Sequence, residues 1–364
     1  MKKILCVGGA RPNFMKLAPL LAELEASDRY SPLLAHTGQH YDEKMSGSFF
    51  RDLGMRDPDY SLGVGSGSHA QQTAEVMKRF EPVVEAARPD MVVVVGDVNS
   101  TVGCALVAVK MGVAVAHVES GLRSFDRTMP EEINRLVTDA ISDLLLVSEE
   151  SGLTNLRREG ASEAKLFLVG NLMIDSLRKN LDRARALGVS GRMGLKAGGY
   201  GVVTLHRPAN VDDISSLNGI LEALAAISKE VPLVFPVHPR TRQQLDGCAA
   251  LQGADIRLAE PLGYLEFQSL VSDSGVVLTD SGGIQEETTA MGIPCFTLRE
   301  NTERPSTIEE GTNTLAGTTR ESILSAWAAA KRNPKAGRTP ALWDGRAAGR
   351  CLQAFDSYFA SKST

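Results

Sequence analysis

Residues 276–287 run from an apolar stretch into a Ser-Gly-Gly turn and then into acidic, helix-prone residues. This pattern predicts a buried strand followed by a helix that Ser281 caps. Gly282 and Gly283 would let backbone N–H groups approach an anion at the positive end of that helix. Glu287 follows one turn later, where a carboxylate could reach sugar hydroxyls. The segment is a candidate phosphate cradle, although an ordinary strand-to-helix turn has the same signature.

Two cations lie at the start of the first predicted helix. Arg11 follows the N-terminal apolar run, and Lys16 lies about one helical turn further on. Both could serve a diphosphate. An isolated Arg or Lys is more often a solvated surface charge, so both interpretations stay open.

Carboxylates follow the next apolar runs. Asp97 fits either a helix N-cap or a chemical role. Glu119 directly follows the run at 113–118, and a carboxylate at the end of a buried strand is costly unless it is paired or used. Arg123 is a candidate structural partner for Glu119. Glu131 opens a helix behind a proline, where negative charge is also favourable for structural reasons.

His206 and His238 end two apolar runs in the second half of the chain. They lack the spacing of a metal motif, and the five cysteines form no Cys-x-x-Cys pair, so no metal site is predicted. Lone histidines are usually satisfied structural groups. Two at equivalent strand ends shift the interpretation towards function.

The apolar runs are short, rich in β-branched residues, and separated by helix-length segments. This alternation predicts parallel sheets buried on both faces, and the series begins again in the second half. The fold class is therefore α/β with two Rossmann-like domains, whose strand ends would line an interdomain active-site cleft. The predicted strands are 4–7, 91–95, 113–118, 144–147, 166–169, 201–205, 233–237, 276–279 and 295–297.

A chain of 364 residues suits two such domains. We place the N-terminal domain at residues 1–170, with a hinge near Gly170, and the C-terminal domain at residues 171–346. Residues 347–364 hold an amphipathic last helix. From the sequence pattern alone, that helix fits against either domain.

The composition excludes several classes of protein. Hydrophobic content of 43% and charged content of 23% argue against disorder, and no stretch is long enough to span a bilayer. A net charge of −5 and only 5% aromatic residues indicate no nucleic-acid partner. Scattered cysteines in apolar surroundings are typical of a reducing compartment, which predicts a cytoplasmic location.

Taken together, several segments resemble the non-hydrolysing UDP-N-acetylglucosamine 2-epimerases, which interconvert UDP-GlcNAc and UDP-ManNAc. The resemblance covers nearly the whole chain. It implies a GT-B-like glycosyltransferase fold, a last helix that packs back on the N-terminal domain, a homodimer, and no metal or other cofactor. The segments are Gly9-Ala10-Arg11-Pro12, Thr37-Gly38-Gln39-His40, Gly96-Asp97, His117 to Arg123, Pro130 to Arg135, His206-Arg207, Thr279 to Glu287 and Glu303-Arg304-Pro305.

The resemblance also implies roles in binding UDP. Ser281, Gly282 and Gly283 would hold the diphosphate, Glu287 the ribose hydroxyls, and Phe267 would lie near the uracil. The cations that would face the phosphates or the sugar are Arg11, Lys16 and Arg304.

Asp97, Glu119 and Glu131 match the catalytic acids of that family. Because no carbonyl acidifies the C2 proton, the expected route is anti elimination of UDP to 2-acetamidoglucal, followed by re-addition. One face of the sugar needs a base and the other an acid, and the sequence does not assign them. His206 would stabilise the departing UDP.

Departures from the family pattern leave the substrate open. Residues 208–210, Pro-Ala-Asn, and Ser306 differ from many relatives. A related UDP-2-acetamido or UDP-2,3-diacetamido sugar is therefore an alternative substrate, and a GT-B glycosyltransferase is a more distant alternative. Arg11 with Pro12 disfavours the hydrolysing epimerases.

Some relatives also bind a second UDP-GlcNAc as an activator. Gln39 and His40 match parts of that site, as do Arg207 and His238, which we also place among the substrate-binding residues. Gln71 stands where activator-dependent members carry Arg. This difference argues against a requirement for the activator.

Overall fold

The computed structural model describes residues 1–38, 49–237, 239–245 and 248–362. The chain forms two compact units. One comprises Met1–Lys179 with Ala341–Thr364, and the other comprises Asn180–Pro340. Each contains a sheet whose paired strands all run parallel, with helices between successive strands, so the predicted α/β class with two Rossmann-like folds is confirmed.

The N-terminal unit has a seven-stranded sheet in the order β3-β2-β1-β4-β5-β6-β7. Its strands are β1 Lys2–Gly8, β2 Tyr30–His36, β3 Tyr60–Ser61, β4 Met91–Val95, β5 Ala114–Ser120, β6 Leu144–Val147 and β7 Leu166–Leu168. Its helices are α1 Arg11–Glu25, α2 His69–Ala87, α3 Asn99–Lys110, α4 Pro130–Ile141, α5 Glu150–Arg158 and α6 Leu172–Arg185, with a 3-10 turn at Glu163–Lys165.

The C-terminal unit has a six-stranded sheet in the order β10-β9-β8-β11-β12-β13. Its strands are β8 Gly201–Thr204, β9 Leu233–Pro236, β10 Ile256–Ala259, β11 Val276–Thr279, β12 Cys295–Thr297 and β13 Asn313–Leu315. Its helices are α7 Val189–Arg192, α8 Pro208–Val211, α9 Ile214–Ser228, α10 Pro239–Leu245, α11 Tyr264–Ser272, α12 Gly282–Met291, α13 Pro305–Glu309 and α14 Arg320–Arg332, with a 3-10 turn at Ala249–Leu251.

The last helix, α15 at Ala347–Lys362, belongs to the N-terminal unit. The Tyr30 hydroxyl donates to Asp356 at 2.6 Å, and Asp175 of α6 accepts from the Ala348 N–H at 2.9 Å. Because α6 starts against the N-terminal unit, the division falls after Lys179 and again after Pro340. These positions differ from the predicted boundaries at 170 and 346.

Four predicted strands have the same bounds in the structure, at 91–95, 144–147, 276–279 and 295–297. Their apolar, β-branched sequences are buried on both faces of a parallel sheet. The prediction missed strands with weaker patterns. Pro32 interrupts β2, β3 has two residues, and β10 and β13 are short and carry polar residues.

Each sheet packs helices against a continuous apolar layer. In the N-terminal unit, Val76 and Phe80 of α2 and Cys104 of α3 are buried against Val92 and Val94 of β4. In the C-terminal unit the largest cluster joins α9, α14 and the strands between them. None of the helices within the described ranges is long and apolar enough to cross a bilayer.

In both sheets the strand order reverses at the centre, between β1 and β4 and between β8 and β11. Open α/β sheets bind ligands beyond the carboxyl ends of the strands at such a reversal. The segments that follow β1 and β4, and those that follow β8 and β11, therefore define where each unit can hold a ligand.

The turn after β5 depends on a glycine at position 121. Gly121 has φ +82°, and a Cβ there would lie 2.5 Å from the carbonyl oxygen of Gly152. Gly160 has a similar φ of +84° but open space around it. A substitution at Gly160 therefore tests the backbone strain alone, whereas one at Gly121 tests the same strain together with steric overlap.

We expect Gly121→Ala to destabilise the protein more than Gly160→Ala. Both changes cost about 1–2 kcal/mol through backbone conformation, and Gly121→Ala adds roughly 1–3 kcal/mol from overpacking against Gly152. Midpoints of urea unfolding measure the difference. Equal midpoints for the two variants would show that the close approach to Gly152 carries no cost.

Candidate active site

The turn between β1 and α1 is fixed by the side chain of Asn13. Its Oδ1 accepts from the N–H groups of Gly9 and Ala10 at 3.1 and 2.9 Å, and its Nδ2 donates to Val95 O at 3.0 Å. This ties the turn to the end of β4. Arg11, the first residue of α1, is exposed beyond this turn.

Glu119 is a buried carboxylate at the end of β5. Its φ of +68° lies in the left-handed region, at a bulge where the register with β6 shifts between Val118 and Ser120. Non-glycine residues in this region carry strain and cluster at functional sites. The ammonium of Lys16, also buried, forms an ion pair with Glu119. Lys16, which the resemblance placed near the phosphates or the sugar, therefore contacts a carboxylate within its own unit.

Gly96 directly follows β4, and Asp97 is the next residue. Arg135 donates to Asp97 Oδ2 through Nη2 and Nε, at 2.6 and 3.0 Å, and Asn134 Nδ2 donates to the Asp97 carbonyl at 2.8 Å. The N-cap position of α3 is occupied by Val98, without a side-chain capping bond. Asp97 is thus held as a paired carboxylate, and its side chain remains 28% exposed.

The two glutamates that open α4 have different surroundings. Glu132 is buried and accepts from the Ser124 and Phe125 N–H groups at 2.9 and 3.0 Å and from Arg135 at 2.7 Å. Glu131 is half-buried and makes no hydrogen bond or ion pair with the described part of the chain. Glu132 therefore holds the loop before α4, whereas the half-buried Glu131 side chain remains accessible.

Arg123 does not serve as the partner of Glu119. It pairs with Asp139 Oδ2 at 2.7 Å and with Glu159 at 2.6 Å. The interpretation of Arg123 as the structural partner was wrong because the turn after Glu119 directs Arg123 towards α4 and the end of α5. The cation that pairs with Glu119 comes from α1.

In the C-terminal unit, Asp280 is fully buried at the end of β11. It accepts from the N–H groups of His206 and Arg207 at 3.0 and 2.9 Å, and lies 2.8 Å from His206 Nδ1. Burial opposes its ionisation, but the hydrogen bonds and charge of His206 outweigh this and hold the pKa of Asp280 below its usual value. The His206 side chain is 63% exposed, so Asp280 orients a ring that can reach a ligand.

The helix α12 begins where the phosphate cradle was predicted. Ser281 occupies the N-cap position, but its side chain makes no capping bond, so the expected capping by its hydroxyl is wrong. Its N–H donates to Thr279 Oγ1 instead, at 2.9 Å. The N–H groups of the first helical turn have no partners within the helix. The start of α12 therefore has the donors and the dipole that an anion requires.

Arg304 supports this helix start from within the unit. It is buried, pairs with Glu303, and lies 3.1 Å from Glu286. A Cβ on Gly282 would lie 2.5 Å from Arg304 Nη1, so a larger residue at position 282 would have to displace the guanidinium. This structure places Arg304 under the cradle.

Glu287 is buried in the second turn of α12. Burial, with the charge of Glu286, raises its pKa to about 8, despite a hydrogen bond from Gln268. Neither Glu287 Oε1 nor Gln268 Oε1 has a hydrogen-bond partner among the described residues. A buried carboxyl oxygen without a donor is expensive unless a ligand supplies one. Phe267, on the adjacent α11, is partly buried against the same core.

The remaining candidates include three that lie outside the described residues: Gln39, His40 and His238. Gln71 is exposed and forms a capping box with Ser68 at the start of α2. The Ser68 N–H donates to Gln71 Oε1 and the Gln71 N–H donates to Ser68 Oγ, both at 3.3 Å. The described residues contain no cluster of histidine, cysteine and acidic side chains that could hold a metal ion.

The structure groups the candidates by unit. The turn that carries Asp97 passes close to Glu119, since a Cβ on Gly96, the residue before Asp97, would lie 3.3 Å from Glu119 Oε2. Asp280 was missed by the sequence analysis, although it ends a buried strand as Glu119 does. The candidates of the N-terminal unit are Arg11, Lys16, Asp97, Glu119 and Glu131; those of the C-terminal unit are His206, Arg207, Phe267, Ser281, Gly282, Gly283, Glu287 and Arg304.

Comparison with known proteins gives consistent matches. The family model for UDP-N-acetylglucosamine 2-epimerase matches residues 22–356. A UDP-N-acetylglucosamine 2-epimerase of Methanococcus maripaludis is 40% identical over 89% of this chain and 90% of its own length. A UDP-2,3-diacetamido-2,3-dideoxy-D-glucuronate 2-epimerase of Pseudomonas aeruginosa is also 40% identical, over 89% and 91%.

Solved structures of UDP-GlcNAc 2-epimerases also match this chain. The crystal structure of Methanocaldococcus jannaschii UDP-GlcNAc 2-epimerase in complex with UDP-GlcNAc and UDP matches with a TM-score of 0.89 and 39% identity, covering 98% of this chain and 99% of that one. The spinosyn rhamnosyltransferase SpnG, at 15% identity and a TM-score of 0.53, shows the shared glycosyltransferase fold alone. The chain belongs to the UDP-N-acetylglucosamine 2-epimerase family.

Proposed function

We propose that this chain catalyses the reversible epimerisation of UDP-GlcNAc to UDP-ManNAc at C2 of the sugar. The observation that carries the proposal is Glu119. It is a buried carboxylate on a left-handed bulge, paired with Lys16 and close to Gly96, the residue that precedes Asp97. A binding protein has no need for a strained, ion-paired carboxylate at the end of a buried strand, with a second carboxylate at the end of the strand beside it. Proton transfer at carbon does need them.

The C-terminal unit supplies the groups that hold UDP. The diphosphate binds the first-turn N–H groups of α12 around Ser281 and Gly282, where the helix dipole favours negative charge. The ribose hydroxyls donate to the unpartnered Oε1 of Glu287. His206, oriented by Asp280, faces the phosphate oxygen that gains charge as the sugar leaves.

The reaction begins with cleavage of the bond between C1 and the phosphate oxygen. The electron pair leaves with UDP, C1 becomes oxocarbenium-like, and the C2 proton becomes acidic. A carboxylate removes that proton in an anti elimination, and the C–H electron pair forms the C1=C2 bond of 2-acetamidoglucal. Proton delivery to the opposite face of C2 and attack of UDP on C1 give the epimer.

Asp97, Glu119 and Glu131 provide the base and the acid for the two faces. Asp97 and Glu119 are each paired with a cation, whereas Glu131 is half-buried and without an ion pair among the described residues. This difference gives the site carboxyl groups in two kinds of electrostatic environment, as a base and an acid that exchange roles require.

A second candidate substrate follows from the relatives. The Pseudomonas aeruginosa enzyme that acts on a 2,3-diacetamido glucuronate nucleotide is as similar to this chain as the Methanococcus maripaludis enzyme. The elimination is the same for both sugars, because neither the C3 nor the C6 substituent takes part in it. Comparing turnover of the two nucleotide sugars under identical conditions decides which is preferred.

The first test is proton NMR of UDP-GlcNAc with the pure protein in heavy water. We expect UDP-ManNAc to form and deuterium to enter C2 of both epimers. An ¹⁸O label in the bond between C1 and the phosphate should also scramble into the non-bridging oxygens. If neither exchange nor UDP-ManNAc is seen with either nucleotide sugar, epimerisation is excluded, and product formation only with an acceptor would indicate a glycosyltransferase.

Replacing the carboxylates one at a time should assign the faces. We expect Asp97→Asn, Glu119→Gln and Glu131→Gln each to lower kcat by about 10²–10⁴-fold, since each removes a proton-transfer group. The variant that releases 2-acetamidoglucal from one epimer but not from the other identifies the base for the blocked face. Glu150→Gln, in the first turn of α5, is the matched control and should leave turnover unchanged. Full activity in all three variants would contradict the mechanism.

Glu287→Gln should weaken UDP binding while stabilising the free protein. Between about pH 4.5 and 8 the folded state keeps a proton that the unfolded state releases, so the stability contribution of Glu287 falls as pH rises through this window. The Gln variant lacks this cost, and we expect a gain of roughly 2–4 kcal/mol at pH 8 that disappears towards pH 4. Thermal unfolding across this pH range measures it.

The same substitution tests the ribose contact. Hydroxyl donors favour the ionised carboxylate, so UDP binding at pH 7 should release a proton from the wild-type protein and none from Glu287→Gln. Titration calorimetry in buffers of different ionisation enthalpy reports that proton. Glu321→Gln, on an exposed helix position, is the control for both measurements. Unchanged UDP affinity in Glu287→Gln would remove Glu287 from the binding site.

A further inference from the structure

His117 lies in the middle of β5 with its side chain fully buried. The proposed chemistry gives it no part, yet both of its ring nitrogens have close partners. Nδ1 lies 2.6 Å from Asp139 Oδ1, and Nε2 lies 2.8 Å from the carbonyl oxygen of Gly96. The carbonyl can only accept a hydrogen bond, so Nε2 must carry a proton.

Asp139 is ionised, which settles the other nitrogen. Its Oδ2 accepts from the Gly121 N–H at 3.0 Å and from Arg123 at 2.7 Å. These two donors stabilise the ionised carboxylate whatever the charge of His117. An ionised carboxylate has no proton to donate, so Nδ1 must donate as well. Both ring nitrogens of His117 thus face acceptors, an arrangement that only a doubly protonated ring can satisfy.

The contacts of this ring surround the two carboxylates of the N-terminal unit. Gly96, held by His117 Nε2, directly precedes Asp97, and its N–H donates to Val118 O at 3.1 Å. Gly121, held by Asp139, lies two residues after Glu119. Both segments that position a catalytic carboxylate are thus tied to one buried ion pair.

The ion pairs around Asp97 and Glu119 also bear on the charge of His117. In the described part of the chain, this set of carboxylates contacts the cations Lys16, Arg123 and Arg135. The acidic side chains paired with them are Asp97, Glu119, Glu132, Asp139 and Glu159. Among these described contacts the acidic side chains outnumber the cations, so a second proton on His117 would offset part of the negative charge beside it.

We propose that His117 is a positioning residue, protonated on both ring nitrogens, that fixes Asp97 relative to Glu119 for proton transfer at C2. This role rests on the proposed function. The protonation state does not, and it can be measured without substrate.

The protonation state is tested on the wild-type protein by NMR of ¹⁵N-labelled histidine at about pH 8, where a free imidazole is neutral. The signals of His117 are those missing from the spectrum of His117→Gln or, if that variant does not fold, altered in Asp139→Asn. We expect two protonated ring nitrogens. A neutral tautomer would overturn the assignment, whether or not the protein turns over UDP-GlcNAc.

The positioning role is tested by kinetics. A glutamine amide can donate to one of the two acceptors but not hold both, so His117→Gln should lower kcat for C2 exchange by about 10²-fold with KM and UDP affinity unchanged. His117→Phe, which donates to neither, should lose more. Glu159→Gln changes the exposed end of the same ion network and should leave both kcat and the ring signals as in the wild type.

These experiments test the positioning role, the protonation state of His117 and the proposed function separately. Wild-type kcat in His117→Gln would exclude the positioning role. If that variant does not fold, Asp139→Asn keeps the shape of the contact without the charge, and wild-type kcat there would exclude the role equally. Absence of C2 exchange in the wild-type protein would instead remove the proposed function and leave the imidazolium to stand or fall on the NMR result.

Discussion

The pairing of Glu119 with Lys16 is the constraint on which the N-terminal site depends. A charged carboxylate at the end of a strand buried on both faces is costly unless a cation or hydrogen-bond donors stabilise it, and removal of one partner of a buried pair typically costs about 3–5 kcal/mol. The bulge at Glu119 interrupts the register between β5 and β6 and puts the residue in a left-handed conformation. α1 must then start at a position that brings Lys16 to it. The Asn13 contacts to the β1 turn and to Val95 set that start.

The C-terminal unit solves the same problem differently. Asp280 also ends a buried central strand, but backbone N–H groups and the His206 ring stabilise its charge in place of a lysine. The consequence is a difference in what each sheet edge offers. The N-terminal edge presents carboxylates, suited to moving protons at carbon, while the C-terminal edge presents an oriented histidine and free helix N–H groups, suited to a phosphate. One fold thus supplies two kinds of chemistry.

The strands of each sheet centre were predictable because burial on both faces leaves a continuous apolar run, as in β4, β6 and β11. Edge strands such as β3 and β13 lack a continuous apolar run, because each has a neighbouring strand on one side only and is less buried. The positions of Asp97, Glu119 and His206 were also predictable, because parallel strands bring their carboxyl ends to one edge. Pairing was not. That Lys16 reaches Glu119, and that Arg123 turns away to Asp139, depends on a bulge and a left-handed turn that apolar periodicity does not record.

Glu287 shows how a site can be costly to the free protein and useful to the complex. Its carboxyl group lies in an environment that favours the proton, with one oxygen lacking a donor. Filling that gap with two hydroxyl groups of a ribose would remove the mismatch, whereas a deoxyribose supplies only one of the two. Under the proposed role of Glu287, the unfavourable burial would discriminate between the two sugars, because a site that receives donors is left with an unpaired buried oxygen when the ligand lacks them.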